Sequence, residues 1–173
     1  MNVSARPAVL AQPPVFSPLE FRTALGMFAT GVTIVATRLP DGTPVGMTVN
    51  SFNAVSLVPP LVLWSLSVQA SAMPAFTGCS HYTVSVLGVA QKELAERFAS
   101  RASDRWDGVA TTEGIGGVPL ITGAVATFEC SNRSRYAEGD HVIFVGEVLR
   151  CTHQPQAAPL LFHGGRFYTE HPL

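Results

Sequence analysis

The chain has 173 residues and a mass of 18.4 kDa, enough for one domain with its own core and too little for two. Apolar residues make up 47% and charged residues only 13%, with a net charge of −1, which argues against both a disordered chain and a protein that grips a nucleic-acid backbone. No Asp, Glu, Lys or Arg occurs between Gly42 and Gln91, so part of the surface is expected to lie against a second subunit or a cofactor.

Residues 1–16, with Pro7, Pro13 and Pro14 and no continuous apolar run, read as a loose arm rather than a secretory leader, and 17–173 as a single domain. Ser17-Pro18-Leu19-Glu20 has the order of a capping box, and Leu19, Ala24, Leu25 and Phe28 follow at helical spacing as far as a stop at Gly31. The β-branched run 32–38, the Asp41-Gly42 turn and the return 45–49 predict a hairpin. From 52 to 68 two strands are expected, divided at Pro59-Pro60, because proline does not sit in a central strand. The same prolines and three serines break the longest apolar run, so no membrane span is expected.

Residues 71–76 read as a short helix capped by Ser71, 81–87 as a strand, and 91–100 as a helix with Leu94 and Phe98 on one face. Residues 101–122 are irregular and glycine-rich. A long pair, 126–136 and 141–151, turns at 137–140, and 160–168 is expected to close the sheet. About seven strands and few helices, without regular alternation, exclude a doubly wound fold and favour an antiparallel barrel with helical decorations. Cys79, Cys130 and Cys151 have no metal-type spacing and read as buried, inert thiols of a cytoplasmic protein.

The usual catalytic motifs are missing: there is no GxSxG, HExxH, Walker loop or GxGxxG between a strand and a helix. What stands out is an uncharged, hydroxyl-rich centre of Thr48, Asn50, Ser51, Ser56, Ser65, Ser67 and Ser71 among aliphatic residues. It suits a flat, mostly neutral aromatic ligand, although spacing alone favours ordinary strand residues that face solvent or pair across a sheet. Asp140-His141 reads two ways as well, as an imidazole at a barrel mouth or as simple turn chemistry.

The segments FATGVTIVAT (28–37), GMTVNSFNAVSLVPPLVLWSL (46–66), TVSVL followed by Gln91 (83–91) and GDHVIFVGEV (139–148) together resemble the flavin reductase-like family, in order from about Phe21 to Tyr168. The resemblance implies a mainly β fold, a six-stranded antiparallel Greek-key split β-barrel with a few peripheral helices. It also implies a homodimer that binds FMN or FAD and uses NADH or NADPH to reduce it for a separate flavin-dependent monooxygenase. A flavin carrier without turnover, and related barrels for pyridoxine phosphate or haem, are the alternatives.

Matched residue by residue, the flavin contacts would fall on Thr48, Val49, Asn50 and Ser51 at the ring edge, on Ser65, Leu66 and Ser67 along the ring or ribityl chain, and on Ala70 and Ser71 at the phosphate. Phe98 would be a wall, and Gly31 and Thr33 would line the nicotinamide side. His141, shaped by Gly139 and Asp140, matches the position the family links to the nicotinamide. One departure concerns charge. Gln69 stands where relatives carry a cation near the phosphate, leaving Lys92, Arg97 and Arg101 as possible sources.

Overall fold

The computed structural model describes residues 14–171, so the expected arm at 1–16 lies almost wholly outside the described residues. The chain opens with α1 (Pro18–Gly26), whose capping box forms as expected: Ser17 Oγ accepts from the Glu20 N–H at 3.2 Å, and the Glu20 carboxylate accepts from the Ser17 N–H at 2.7 Å. Those bonds hold the Glu20 carboxyl below its ordinary pKa. Helical spacing at 19–28 implies a face turned to a core, yet α1 buries none of its residues. Leu19, Leu25 and Phe28 stand exposed, as do Phe21 and Met27.

After β1 (Thr30–Gly31) come β2 (Thr33–Arg38) and β3 (Pro44–Val49), paired through the Asp41-Gly42 turn, then β4 (Asn53–Leu57) and β5 (Pro60–Ser67), paired through a turn at Val58-Pro59. The short helix α2 (Met73–Gly78) starts two residues later than expected, with Ala72 and not Ser71 at its N-cap, because Met73 N–H already bonds the Ala70 carbonyl. Next are β6 (His81–Val86), α3 (Lys92–Ala99), the small hairpin β7 (Thr111–Glu113) and β8 (Pro119–Ile121), and the long hairpin β9 (Ala126–Glu138) and β10 (His141–His153). The segment expected to be wholly irregular therefore contains β7 and β8, and the tip of the long hairpin is only Gly139-Asp140. The chain ends in β11 (Leu161–His163) and β12 (Arg166–Tyr168).

The fold is mainly β with a few helices, and the strand count of the main sheet is nearer the seven read from the residues than the six the resemblance implies. Among the described residues the main sheet has seven strands, in the order β3-β2-β6-β9-β10-β5-β4, all antiparallel. Its hydrogen-bond ladder is not closed between β3 and β4. The last hairpin does not complete this sheet either; β11 pairs with β12 and with β1 in a separate three-stranded sheet.

The two edge strands nevertheless meet, because β3 runs into β4 through residues 50–52 alone. Three residues reach roughly 10 Å, so the sheet must curl to bring its edges together. Register shifts at Val145/Gly146 and Val148/Arg150 are bulges, which bend the β9–β10 hairpin as well. The concave side holds Val35, Val49, Val62, Trp64, Leu66, Phe76, Tyr82, Val84, Cys130 and Phe144. Trp64 stacks on Phe144 at 4.6 Å and meets Phe76 and Tyr82 edge-on. A second core on the convex side packs Val32 and Ile34 of β2 under Leu87, Ala95, Phe98, Ile121 and Leu160.

Cys130 is buried and its thiol is pushed up to about 12, chiefly by desolvation, whereas Cys79 is half-buried and Cys151 is exposed. The expectation of three buried thiols thus holds for one, because Cys151 sits beyond the covered part of β10. The buried Glu129 carboxylate accepts from the Ile115 N–H at 2.7 Å and pairs with Arg150 at 2.6 Å, tying the 114–117 loop to the sheet.

Close approach makes Gly146 indispensable. A Cβ there would lie 2.8 Å from Tyr82 Cζ and 2.9 Å from Cys130 Cβ. Gly146→Ala is expected to lower stability by about 3 kcal/mol in urea unfolding, the upper end for overpacking a tight core.

Candidate functional site

The seam where the sheet's edges meet is a cleft of about 270 Å³. One wall is the end of β3 and the two residues after it, Met47 to Ser51; the other is the end of β5, Ser65 to Ser67, with Ala70 and His141 beside it. Burial explains the division of labour. Val49 and Leu66 belong to the core and give the cleft backbone groups over an apolar floor, while Asn50, Ser51 and Ser67 supply polar edges.

Ser51 makes the seam a fixed structure. Its Oγ accepts from Ser65 N–H at 3.0 Å and donates to Ser65 O at 3.3 Å. The β4–β5 ladder has ended at Asn53 opposite Leu63, so a side chain takes over where backbone pairing stops. Thr48 is fixed from the other side, its hydroxyl donating to Ala95 O of α3 at 2.6 Å.

Beyond Met47, Thr48 and Ala70, which border both, a second cleft of about 670 Å³ opens. Gln69, Ser71, Phe98, Ser100, Arg101 and Arg105 line it. Phe98 is a buried wall, as expected. The positive charge comes from Arg101, one of the three candidates, and from Arg105, which sequence reasoning missed. Lys92 is taken by Glu96 at 3.5 Å, and Arg97 donates to Asp107 O at 2.8 Å. Arg105 lies in the segment expected to be irregular; its signal was that it continues the cations Lys92, Arg97 and Arg101, the first to follow the charge-free stretch.

His141 opens β10 directly after the hairpin tip and lines the first cleft opposite Ser67, its register partner. Its Nδ1 lies 2.7 Å from Asp140 Oδ1. An ionised carboxylate only accepts, so Nδ1 carries the proton and Nε2 is the nitrogen left for a ligand. This bond also holds the Asp140 carboxyl below its ordinary range. Asp140 therefore orients His141 at neutral pH and loses that role only as the pH falls through the depressed value.

Gly31 and Thr33 sit elsewhere. Gly31 pairs with Leu161, and the buried Thr33 hydroxyl donates to Val49 O at 2.8 Å, which supports the β3 wall from behind without lining either cleft.

The sequence and the curled antiparallel fold of this chain are matched among known proteins. The chain belongs to the flavin reductase-like family, whose domain, described as "Flavin reductase like domain", matches residues 25–171. It is 49% identical over 150 residues to the FMN reductase (NADH) SmoA of Agrobacterium fabrum, covering 86% of this chain and 83% of that one. It is 38% identical to HsaB, the reductase subunit of a flavin-dependent monooxygenase of Rhodococcus jostii, covering 96% of this chain and 84% of that one. The structure of the NADH:FAD oxidoreductase SgcE6 of Streptomyces globisporus, in complex with NAD and FAD fragments, superposes with a TM-score of 0.85 at 40% identity, covering 92% of this chain and 98% of that one.

The Ser51 linkage has a measurable weight. Ser51→Ala removes both bonds to Ser65 and is expected to lower stability by about 1–2 kcal/mol in urea unfolding, with Ser51→Thr restoring most of it.

Proposed function

We propose that this chain is the reductase component of a two-component flavin monooxygenase, oxidising NADH, reducing FMN or FAD, and handing reduced flavin to a separate oxygenase. The observation that carries the reading is the seam itself: an uncharged cleft with an apolar floor and amide and hydroxyl edges, continuous with a cleft bearing Arg101 and Arg105. The curled sheet is read as a split barrel left open at this seam.

The residues fit a flavin. Val49 and Leu66 offer an apolar bed for a flat ring, with Asn50, Ser51 and the backbone from 48 to 51 addressing its edge. Ser65 and Ser67 would meet a ribityl chain, and Ser71, Arg101 and Arg105 a phosphate. A flavin held there would supply the two-electron chemistry.

The protein's part is orientation and exclusion of water. His141 Nε2, an acceptor in the neutral ring, matches the amide N–H2 of a nicotinamide and would hold that ring over the cleft. Asp140 keeps the imidazole in that tautomer. No acid–base pair is required of the protein, which agrees with a site built almost without titratable side chains.

A homodimer belongs to the same reading. Leu19, Phe21, Leu25, Met27 and Phe28 stand exposed on and just after α1, and a second copy would cover apolar residues there. A cytoplasmic location is supported by free thiols at Cys79, Cys130 and Cys151. Among the described residues no helix is long and apolar enough to cross a membrane.

Flavin-stripped protein is expected to oxidise NADH at a rate that saturates with added FMN or FAD. No oxidation by flavin-saturated protein would overturn the reductase in favour of a flavin carrier. His141→Ala should raise KM for NADH about tenfold, the weight of one hydrogen bond to a polar ligand. Light scattering should give about twice 18.4 kDa, and Leu25→Glu with Phe28→Glu should give the monomer.

A further inference from the structure

A cavity of about 610 Å³ lies at the turn end of the β2–β3 hairpin, away from the seam, and it shares no lining residue with either cleft described above. Its origin is in the strand register. β2 and β6 pair only as far as Ala36 opposite Thr83. One residue further on, the buried Thr37 hydroxyl donates to His81 O at 2.9 Å and takes over where backbone pairing stops. Beyond that bond the cavity begins, lined by the β2–β3 turn, by α2 and the residues that lead into β6, and by Gly116 and Val118.

The rim is fixed by contacts that strand pairing does not supply. Arg38 Nε donates to Gly117 O at 2.7 Å, and its Nη1 donates to Gly42 O. The loop that carries Gly117 is itself tied down by Glu129 through the Ile115 N–H. Gly116 has a φ of +72° and packs on the imidazole of His81, where a Cβ would lie 3.2 Å from Nδ1. The loop can therefore close on that ring only with glycine in this place.

The charge at the rim is one-sided. Neutral carbonyls orient the Arg38 guanidinium without cancelling its charge, and Nη2 is left unbonded. Among the described residues no carboxylate pairs with Arg38, and no acidic side chain lines the cavity. Ser80 Oγ and His81 Nδ1 bond to each other at 2.9 Å and add a polar pair to the lining. Leu39, Pro40, Pro74, Ala75 and Val118 make the rest of the wall apolar. A single oriented guanidinium beside apolar surface suits one carboxylate on an apolar body; a phosphate, with about two charges, would be left half neutralised.

We propose that this cavity is a binding site for a small organic carboxylate, its carboxylate on Arg38 and its apolar body against Pro74, Ala75 and Val118, separate from the clefts assigned to flavin and nicotinamide. The site does not rest on the flavin-reductase reading, since none of its residues belongs to those clefts.

The test is a titration of the full chain with sodium benzoate, followed through the backbone amide resonances, with benzamide and inorganic phosphate as comparisons. Benzoate is expected to shift the amides of Arg38, Ser80, His81 and Gly117 with a Kd on the order of 1 mM, the range for a ligand of this size. Benzamide, which has the same ring without the charge, and phosphate, which has charge without the ring, should each bind at least about tenfold more weakly. That comparison needs no variant. Arg38→Met should weaken benzoate about tenfold, Arg101→Met should leave it unchanged, and saturating FMN should not displace it. Benzamide binding as well as benzoate overturns recognition of the carboxylate, and phosphate binding as well as benzoate overturns the role of the apolar walls. Shifts confined to the Met47–Ser67 cleft and abolished by FMN place benzoate in the flavin cleft and overturn the site, as does the lack of any saturable shift. A chain that takes benzoate here and binds no flavin keeps the site and loses the reductase reading.

Discussion

Three residues, 50–52, join one edge of a seven-stranded sheet to the other, and that short connection governs the rest of the molecule. An open sheet of this size would expose two rows of unpaired backbone groups. Here the edges are drawn to each other, and the concave face becomes a core filled by Trp64, Phe76, Tyr82 and Phe144. The edges do not fuse into one ladder. Ser51 lends a hydroxyl to Ser65 instead, and the remaining gap is the cleft. Fold and binding site are thus one solution to the problem of two strand edges held too close to ignore each other and too far apart to pair.

Much of this was legible in the residues. β-branched runs, the Asp41-Gly42 and Gly139-Asp140 turns and the Pro59-Pro60 break locate the hairpins, because those signals are local. The uncharged walls of the cleft were legible too, since both walls are drawn from the charge-free stretch between Gly42 and Gln91. What failed was non-local. Periodicity at 19–28 describes an amphipathic helix but does not say whether its apolar side meets the same chain, and among the described residues it does not. Residues 161–168 look like another barrel strand, but their partner is the two-residue β1. Ser71 precedes a helix and so resembles a cap; the turn from Ala70 to Met73 takes the N–H it would have served. Arg105 was hidden by the irregular segment around it, where no periodicity marks a side chain as facing a groove.

The low charge of the chain has a chemical reading. A site in which the cofactors do the bond-making asks the protein for a shaped, dry surface with few polar groups, each in a fixed position. His141 meets that requirement through its location: the first residue after a two-residue tip, on a strand of thirteen residues paired on both sides, with Asp140 fixing the ring. The arginines are kept for the far end of the groove, where charge on the ligand would need them.

The strand order also resolves into units. β3-β2, β9-β10 and β5-β4 are hairpins closed by short turns; β6 alone has no hairpin partner and lies between β2 and β9. Take β6 away and the sheet separates into two halves, one carrying Met47 to Ser51, the other carrying Ser65 to Ser67 and His141. The two walls of the cleft are therefore held from both sides, by residues 50–52 and the Ser51–Ser65 bonds at the seam and by β6 far from it, as a keystone sets the span of an arch from its crown. The spacing of the walls thus depends on the packing of β6 as well as on the seam itself. Exchanges at Tyr82 or Val84 in the interior would then shift the walls without altering one residue that lines the cleft.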